Sequence, residues 1–245
     1  MRSLRLAVGL LTVLPVRKVD PDATSARNAM LLAPVAGVLA ASPAAVLLLA
    51  FDQPSLVLAG LAVGSLALLT GGLHWDGLAD TADGFAVPRG RSDRLDVMRR
   101  ADVGPIGALV IAITLLLQVG ALAAVTDRGD GPEVWLFAVA LSRAALPLVC
   151  VRGTTAARPD GLGALVIGRV PGLAALGPAA VVLALAVPTV ATPLRTALAG
   201  LAAITVAWGV RGAALQRIGG LTGDVLGAVV EIATAVCLIA LCLTW

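Results

Sequence analysis

Charge is scarce in this chain, and its scarcity narrows the class before any motif is read. Only 13% of the 245 residues are Asp, Glu, Lys or Arg, against roughly 25% in a soluble globular domain. The deficit is gathered into runs: residues 29–51, 53–73, 103–126 and 170–194 contain no Asp, Glu, Lys, Arg or His. Helices of a soluble bundle carry a polar face. These runs have none, and each supplies the ~20 apolar residues that cross a bilayer. Tyrosine is absent and phenylalanine occurs three times, which argues against an aromatic-lined groove for sugars or stacked bases. With one histidine in the chain, a zinc or copper centre lacks its usual ligands. Cys150, Cys237 and Cys242 fall in apolar segments without metal-type pairing and read as small apolar filler.

What is present is an all-α, polytopic integral membrane protein. Three weaker segments join the four runs: 134–151 around Arg143, 196–210 between Arg195 and Arg211, and 225–245 around Glu231. About seven spans are expected, six to eight, in a single transmembrane catalytic domain over residues 1–245. Leu6–Val16 is too short to cross and reads as an interfacial helix or a segment packed on the bundle. With the N-terminus cytoplasmic and seven alternating spans, Arg2, Arg5, Arg17, Lys18 and Arg27 lie inside. Arg89, Arg91, Arg94, Arg99, Arg100, Arg152, Arg158, Arg169, Arg211 and Arg217 join them, with only Arg128 and Arg195 outside. The basic residues are therefore topology determinants, and the net charge of +3 gives no reason to expect nucleic acid. The lipid bilayer is the expected surrounding, and nothing in the sequence excludes a homo-oligomer. The outer connections are minimal turns, whereas the inner ones, 74–102, 152–169 and 211–224, hold most remaining polar residues. Chemistry is expected on the inner face.

The most informative stretch is Gly71–Gly84, GGLHWDGLADTADG. Asp76, Asp80 and Asp83 fall at i, i+4 and i+7, one face of a helix. Like charges at that spacing destabilise a helix, and carboxylates beside a membrane are costlier still. A divalent cation is the simplest compensation, and hard oxygen ligands favour Mg²⁺, held by a few carboxylates plus substrate phosphate oxygens. The plainer reading is a solvated helix face at the membrane surface. His74 is a general base, a partner to the ligands, or an interfacial polar residue. The following basic stretch, with Arg89, Arg94, Arg99 and Arg100, offers charge-assisted bonds to phosphate, though positive-inside bias accounts for part of it. The Gly104-Pro105-Ile106-Gly107 start of the next span offers free amides to an anion. In Arg217–Asp224, Gly219 and Gly220 let backbone amides approach a ligand, while Thr222 and Asp224 add a hydroxyl and a further metal-ligating carboxylate. Metal plus phosphate clamps are the working parts of phosphoryl and nucleotidyl transfer.

GGLHWDGLADTADG closely resembles the signature of the cobalamin synthase family, the adenosylcobinamide-GDP ribazoletransferases. Further blocks resemble the family in order: LLTVLPV at 10–16, RLDVMRRADVGPIGALV at 94–110, ARPDGLG at 157–163 and RIGGLTGDVLGAVVE at 217–231. Trp75 stands where leucine is usual, and Arg100 and Asp102 stand where an acidic residue and an arginine are expected. The resemblance implies that a ribose hydroxyl of α-ribazole, or of its 5′-phosphate, attacks adenosylcobinamide-GDP. The product is adenosylcobalamin or its phosphate, and GMP is released at the cytoplasmic face of a bacterial inner membrane. It also implies Mg²⁺ on Asp76, Asp80, Asp83 and Asp224, phosphates on the arginines of 89–100, and a carboxylate or His74 as proton acceptor. Three other classes place acids beside spans. CDP-alcohol phosphotransferases need an arginine where Asp80 stands. Prenyltransferases use two separated Asp-rich motifs. Cation transporters hold their ligands near the midplane.

Overall fold

The computed structural model describes residues 1–51, 53–88, 90–190 and 192–243, and for Leu162 the backbone alone. The regular elements are helices in the order α1 (Arg2–Leu11), α2 (Ala23–Leu31), α3 (Ala33–Ala50), α4 (Ser55–Leu69), α5 (Leu73–Ala86) and α6 (Arg91–Val97). These are followed by α7 (Pro105–Thr126), α8 (Gly131–Val149), α9 (Leu162–Val166), α10 (Gly172–Ala186), α11 (Pro193–Ile218) and α12 (Gly223–Cys242). Two isolated β-bridges, Val151 with Val170 and Ala156 with Leu221, fasten the loops. The all-α expectation holds.

Five helices, α3, α7, α8, α11 and α12, are long and apolar enough to cross a membrane, and α4 with α5 adds a sixth only if a pair bent by 89° is one broken span. All seven expected segments are helical, but two are short. α4 and α10 have 15 residues each, about 22 Å at 1.5 Å per residue. α4 stops where Gly71 and Gly72 take φ of +63° and +69°, a left-handed conformation that glycine adopts without a Cβ clash. α10 ends two residues before Pro188, whose ring resists continuation of a helix. α11 departs the other way. It runs 26 residues to Ile218 and absorbs most of what reads as an inner connection.

The N-terminal segment is the expected short packed helix, with Leu6, Ala7, Val8 and Leu11 of α1 buried. Small residues set the packing of the bundle. Ala33, Ala36, Gly37, Ala40, Ala41 and Ala44 form the buried stripe of α3, and small side chains let apolar helices approach where lipid offers no hydrophobic drive. Trp135 of α8 is wholly buried and donates its Nε1–H to the Ala41 carbonyl at 3.2 Å. Gly37 makes room for another α8 side chain: a Cβ there would lie 3.0 Å from Cδ of Arg143.

Two ends of the bundle differ in character. At one, Ser55 donates to Asp127, and Arg128 donates to the carbonyls of Leu241 and Cys242 at 2.8 and 2.9 Å. At the other, the three polar connections pack on one another. Ala157 N–H donates to Leu221 O at 2.7 Å, Leu221 N–H to Thr155 O at 2.9 Å, and Arg158 to Leu95 O at 2.7 Å. There α5 crosses α12 at backbone contact. A Cβ on Gly77 would stand 2.7 Å from the Asp224 carbonyl oxygen, and one on Gly227 would stand 3.0 Å from that of His74.

Gly77→Val should therefore lower stability by about 1–3 kcal/mol, the usual cost of overpacking. Thermal unfolding of the detergent-solubilised protein checks this. Gly64→Ala, whose added methyl meets nothing within 4 Å, should leave the midpoint unchanged or slightly raised.

Candidate active site

The acids of α5 face the start of α12. Asp76 is exposed, Asp80 and Asp83 are half-buried, and α5 turns away from the line of α4 by 89°. The Gly77–Gly227 crossing brings Asp224, one residue into α12, beside Asp76 and Asp80. Partial burial, together with the neighbouring Asp76 and Asp224 carboxylates, pushes Asp80 up to about 7. Arg158, in the loop before α9, is the counter-charge, with Nη1 3.6 Å from Asp224 Oδ2. Thr222 is the N-cap of α12. Its Oγ1 accepts from Val225 N–H at 3.3 Å and donates to Asp224 Oδ2 at 3.1 Å, which aims that carboxylate.

Asp83 is placed differently from its two neighbours. Its Oδ2 accepts from Gly104 N–H and its Oδ1 from Gly107 N–H, each at 2.8 Å. It thereby caps α7, where unpaired amides and the helix dipole favour an anion. A Cβ on Gly104 or Gly107 would lie within 2.5 Å of this carboxylate. The free amides expected to meet a ligand at that span are met by Asp83 itself. Among the described residues, no three His, Cys, Asp or Glu side chains close into a metal cage. The expected convergence of the α5 acids thus resolves into Asp76 and Asp80 with Asp224, and a third aspartate committed to amides. A cation bound mainly through one or two carboxylates and substrate phosphates needs no such cage, and the crowding that disfavours ionised Asp80 is what a cation relieves. The donor set fits Mg²⁺.

Of the expected phosphate ligands, Arg89 lies outside the described residues. Arg94 donates to Phe85 O at 3.2 Å, and Arg99 is exposed, 3.6 Å from Asp160. Arg100 lines a cleft with Asp80, Asp83, Asp102 and Gly104, so the two residues that depart from the family pattern face the acids together. Gly219 caps α11 at φ +72°, against the Arg91 guanidinium. A Cβ on Gly220 would stand 2.6 Å from Ala157 N. The demand for glycine at 219 and 220 is met by loop packing.

Sequence reasoning missed a buried polar network. His74, Arg143 and Glu231 are 2%, 1% and 3% exposed, although such groups are costly in a bundle unless paired. Arg143 Nη1 lies 2.9 Å from Ser142 Oγ and 3.4 Å from Thr234 Oγ1, and its Nη2 lies 3.3 Å from His74 Nδ1. Glu231 accepts from Gln118 Nε2 at 2.9 Å and lies 3.8 Å from His74 Nδ1. The signal was an ionisable residue interrupting each of two apolar segments. Arg158 was also underweighted, in the weakest of the three connections.

The family model described as cobalamin-5-phosphate synthase matches residues 3–242. An adenosylcobinamide-GDP ribazoletransferase of Nocardioides sp. is 43% identical, over 96% of each chain. One of Frankia casuarinae is 38% identical, over all of this chain and 95% of the relative. One of Pseudomonas aeruginosa is 36% identical, over 99% of this chain and 98% of the relative. No solved structure matches.

A carboxyl held above its ordinary value stabilises the fold at low pH and loses that contribution as pH rises towards and through about 7. In metal-free detergent solution, Asp80→Asn should remove a fall in melting temperature between pH 5.5 and 8 that the parent protein shows. An unchanged slope would mean that Asp80 does not feel its neighbours.

Proposed function

Because the chain belongs to the cobalamin-5-phosphate synthase family, we propose how its residues carry out the transfer named in its relatives: adenosylcobinamide phosphate passes from adenosylcobinamide-GDP to ribazole. The observation that carries the reading is the meeting of Asp76, Asp80 and Asp224, under mutual repulsion, at the joint between the cleft that Arg100 lines and an apolar cavity. A hydroxyl of the acceptor attacks the cobinamide-bearing phosphorus. A new P–O bond forms, the bond to the bridging oxygen breaks, and GMP leaves with that electron pair.

One or two of Asp76, Asp80 and Asp224, together with substrate phosphate oxygens, would hold Mg²⁺, with Asp83 contributing only what its two amide bonds leave free. The ion supplies charge neutralisation for the diphosphate. Thr222 and Arg158 fix Asp224 on either side. Arg91, Arg94, Arg99 and Arg100, on or just after α6, offer guanidinium groups to phosphate oxygens. The attacking hydroxyl's proton goes to a carboxylate of the cluster. His74 is unsuited to accept it, because its Nδ1 faces the Arg143 guanidinium, which only donates. Nδ1 is then the acceptor, and the ring proton sits on Nε2.

The basic residues gather in the connections around α5, α6 and α9, which supports placing the acids on the cytoplasmic side of a bacterial inner membrane. Cysteine placed at Ser92 should react with a membrane-impermeant maleimide only after cell lysis, and cysteine at Asp130 in intact cells. The reverse pattern inverts the topology.

Asp76→Ala and Asp80→Ala should each cut GMP release from adenosylcobinamide-GDP by at least ~10²-fold, the scale of losing a group that acts on charge in the transition state. Chelation of divalent ions should do the same to the parent enzyme, and added Mg²⁺ should restore it. Near-parental turnover in both variants would remove the metal assignment.

A further inference from the structure

Two cavities flank the acidic cluster, and their chemistry differs. The first, about 250 Å³, lies among α1, α2, α5, α8, α9 and α12. Leu10, Leu11, Met30, Leu146, Val166 and Leu226 form apolar wall, and Asp76, Thr222, Asp224 and Arg158 form its polar side. The second, about 270 Å³, lies between the end of α5 and the start of α7, lined by Asp80, Asp83 and Asp102 with Arg100, which follows α6. We infer that the apolar cavity receives the aromatic ring system of the ribazole acceptor, while the nucleotide end of the donor occupies the arginine side. This rests on the transfer reading above and adds which substrate goes where.

Three observations support the division. Size is the first: pockets for drug-sized ligands span roughly 300–1,000 Å³. A cavity of about 250 Å³ therefore takes a two-ring base with its sugar at the mouth, and excludes a corrin macrocycle. Charge is the second. Arg158 on the cavity wall is already paired with Asp224, and Asp76, Asp160 and Asp224 surround it. The described wall therefore offers a phosphate no guanidinium that is not already paired, whereas Arg100 lines the second cleft.

The third is an unmatched donor. His74 lines the same cavity, is 2% exposed, and its Nε2 has no partner among the described residues. With Nδ1 accepting from Arg143, Nε2 carries hydrogen and lacks an acceptor, a costly state for a buried group. A benzimidazole linked to ribose through one ring nitrogen keeps the other as a bare acceptor. Seating that ring with its bare nitrogen at Nε2 satisfies both groups and leaves the ribose hydroxyls towards Asp76 and Asp224. His74 is then a positioning residue for the acceptor.

Steady-state kinetics with both substrates varied tests the assignment. Ala164 lines the cavity on α9, and Ala164→Phe should raise the acceptor KM at least ~10-fold while the donor KM stays within about twofold. A rise in the donor KM instead, or an unmoved acceptor KM, overturns the inference. A second measurement needs no packing variant. An acceptor with indole in place of benzimidazole lacks the bare nitrogen, and the parent enzyme should use it with kcat/KM reduced ~10-fold or more. In His74→Phe the two acceptors should be used equally. Equal use by the parent enzyme overturns the inference. If the parent enzyme releases no GMP with either acceptor, the transfer reading itself falls, an outcome distinct from a misassigned cavity.

Discussion

The contact on which everything else depends is the crossing of α5 over the start of α12, where two glycines bring backbone against backbone. Without side chains at 77 and 227, the Asp224 carbonyl lies against Gly77 and the His74 carbonyl against Gly227. That approach sets the relation between an acid from late in the chain and the acids of α5. It also seats His74 against the interior of the bundle, where Arg143 and Glu231 reach it from α8 and α12. Surface chemistry and buried network share one fastening. A hydrophobic pair at the same crossing would separate the carboxylates and uncouple the imidazole from its guanidinium.

The acids of α5 divide by what each has to face. Asp76 and Asp80 meet open space and one another's charge, whereas Asp83 meets two amides of the next spanning helix. Sequence spacing assigns all three to one face, which is correct as far as helix geometry goes. It does not show that Gly104 and Gly107 approach the third closely enough to take both its oxygens. A period in one helix says which side chains point together. What stands opposite them belongs to tertiary structure.

The same distinction runs through the fold. Apolar runs marked seven helical segments, because composition alone decides whether a segment tolerates lipid. Their lengths were less legible. Gly71-Gly72 and Pro188 shorten two of them through local backbone chemistry, and Arg211 and Arg217 fail to stop α11 because their stems lie along the bundle. Arg217 donates to Phe85 O at 2.8 Å and Arg211 covers Trp208. The family blocks were readable, yet Gly219 and Gly220, which resemble a ligand loop, are demanded by contact with residues 155–157 and Arg91. Arg143 and Glu231 were visible as interruptions, but nothing in one dimension pairs either of them with His74.

The shortness of α4 has a consequence for where the reacting groups sit relative to lipid. A helix of 15 residues reaches about 22 Å, some 8 Å less than a ~30 Å hydrocarbon core, so α4 by itself falls short of a full crossing. α5 leaves its end at 89°, and the aspartates begin four residues beyond the glycine turn that closes α4. The carboxylates therefore lie on a helix that runs across the end of α4 rather than continuing its line.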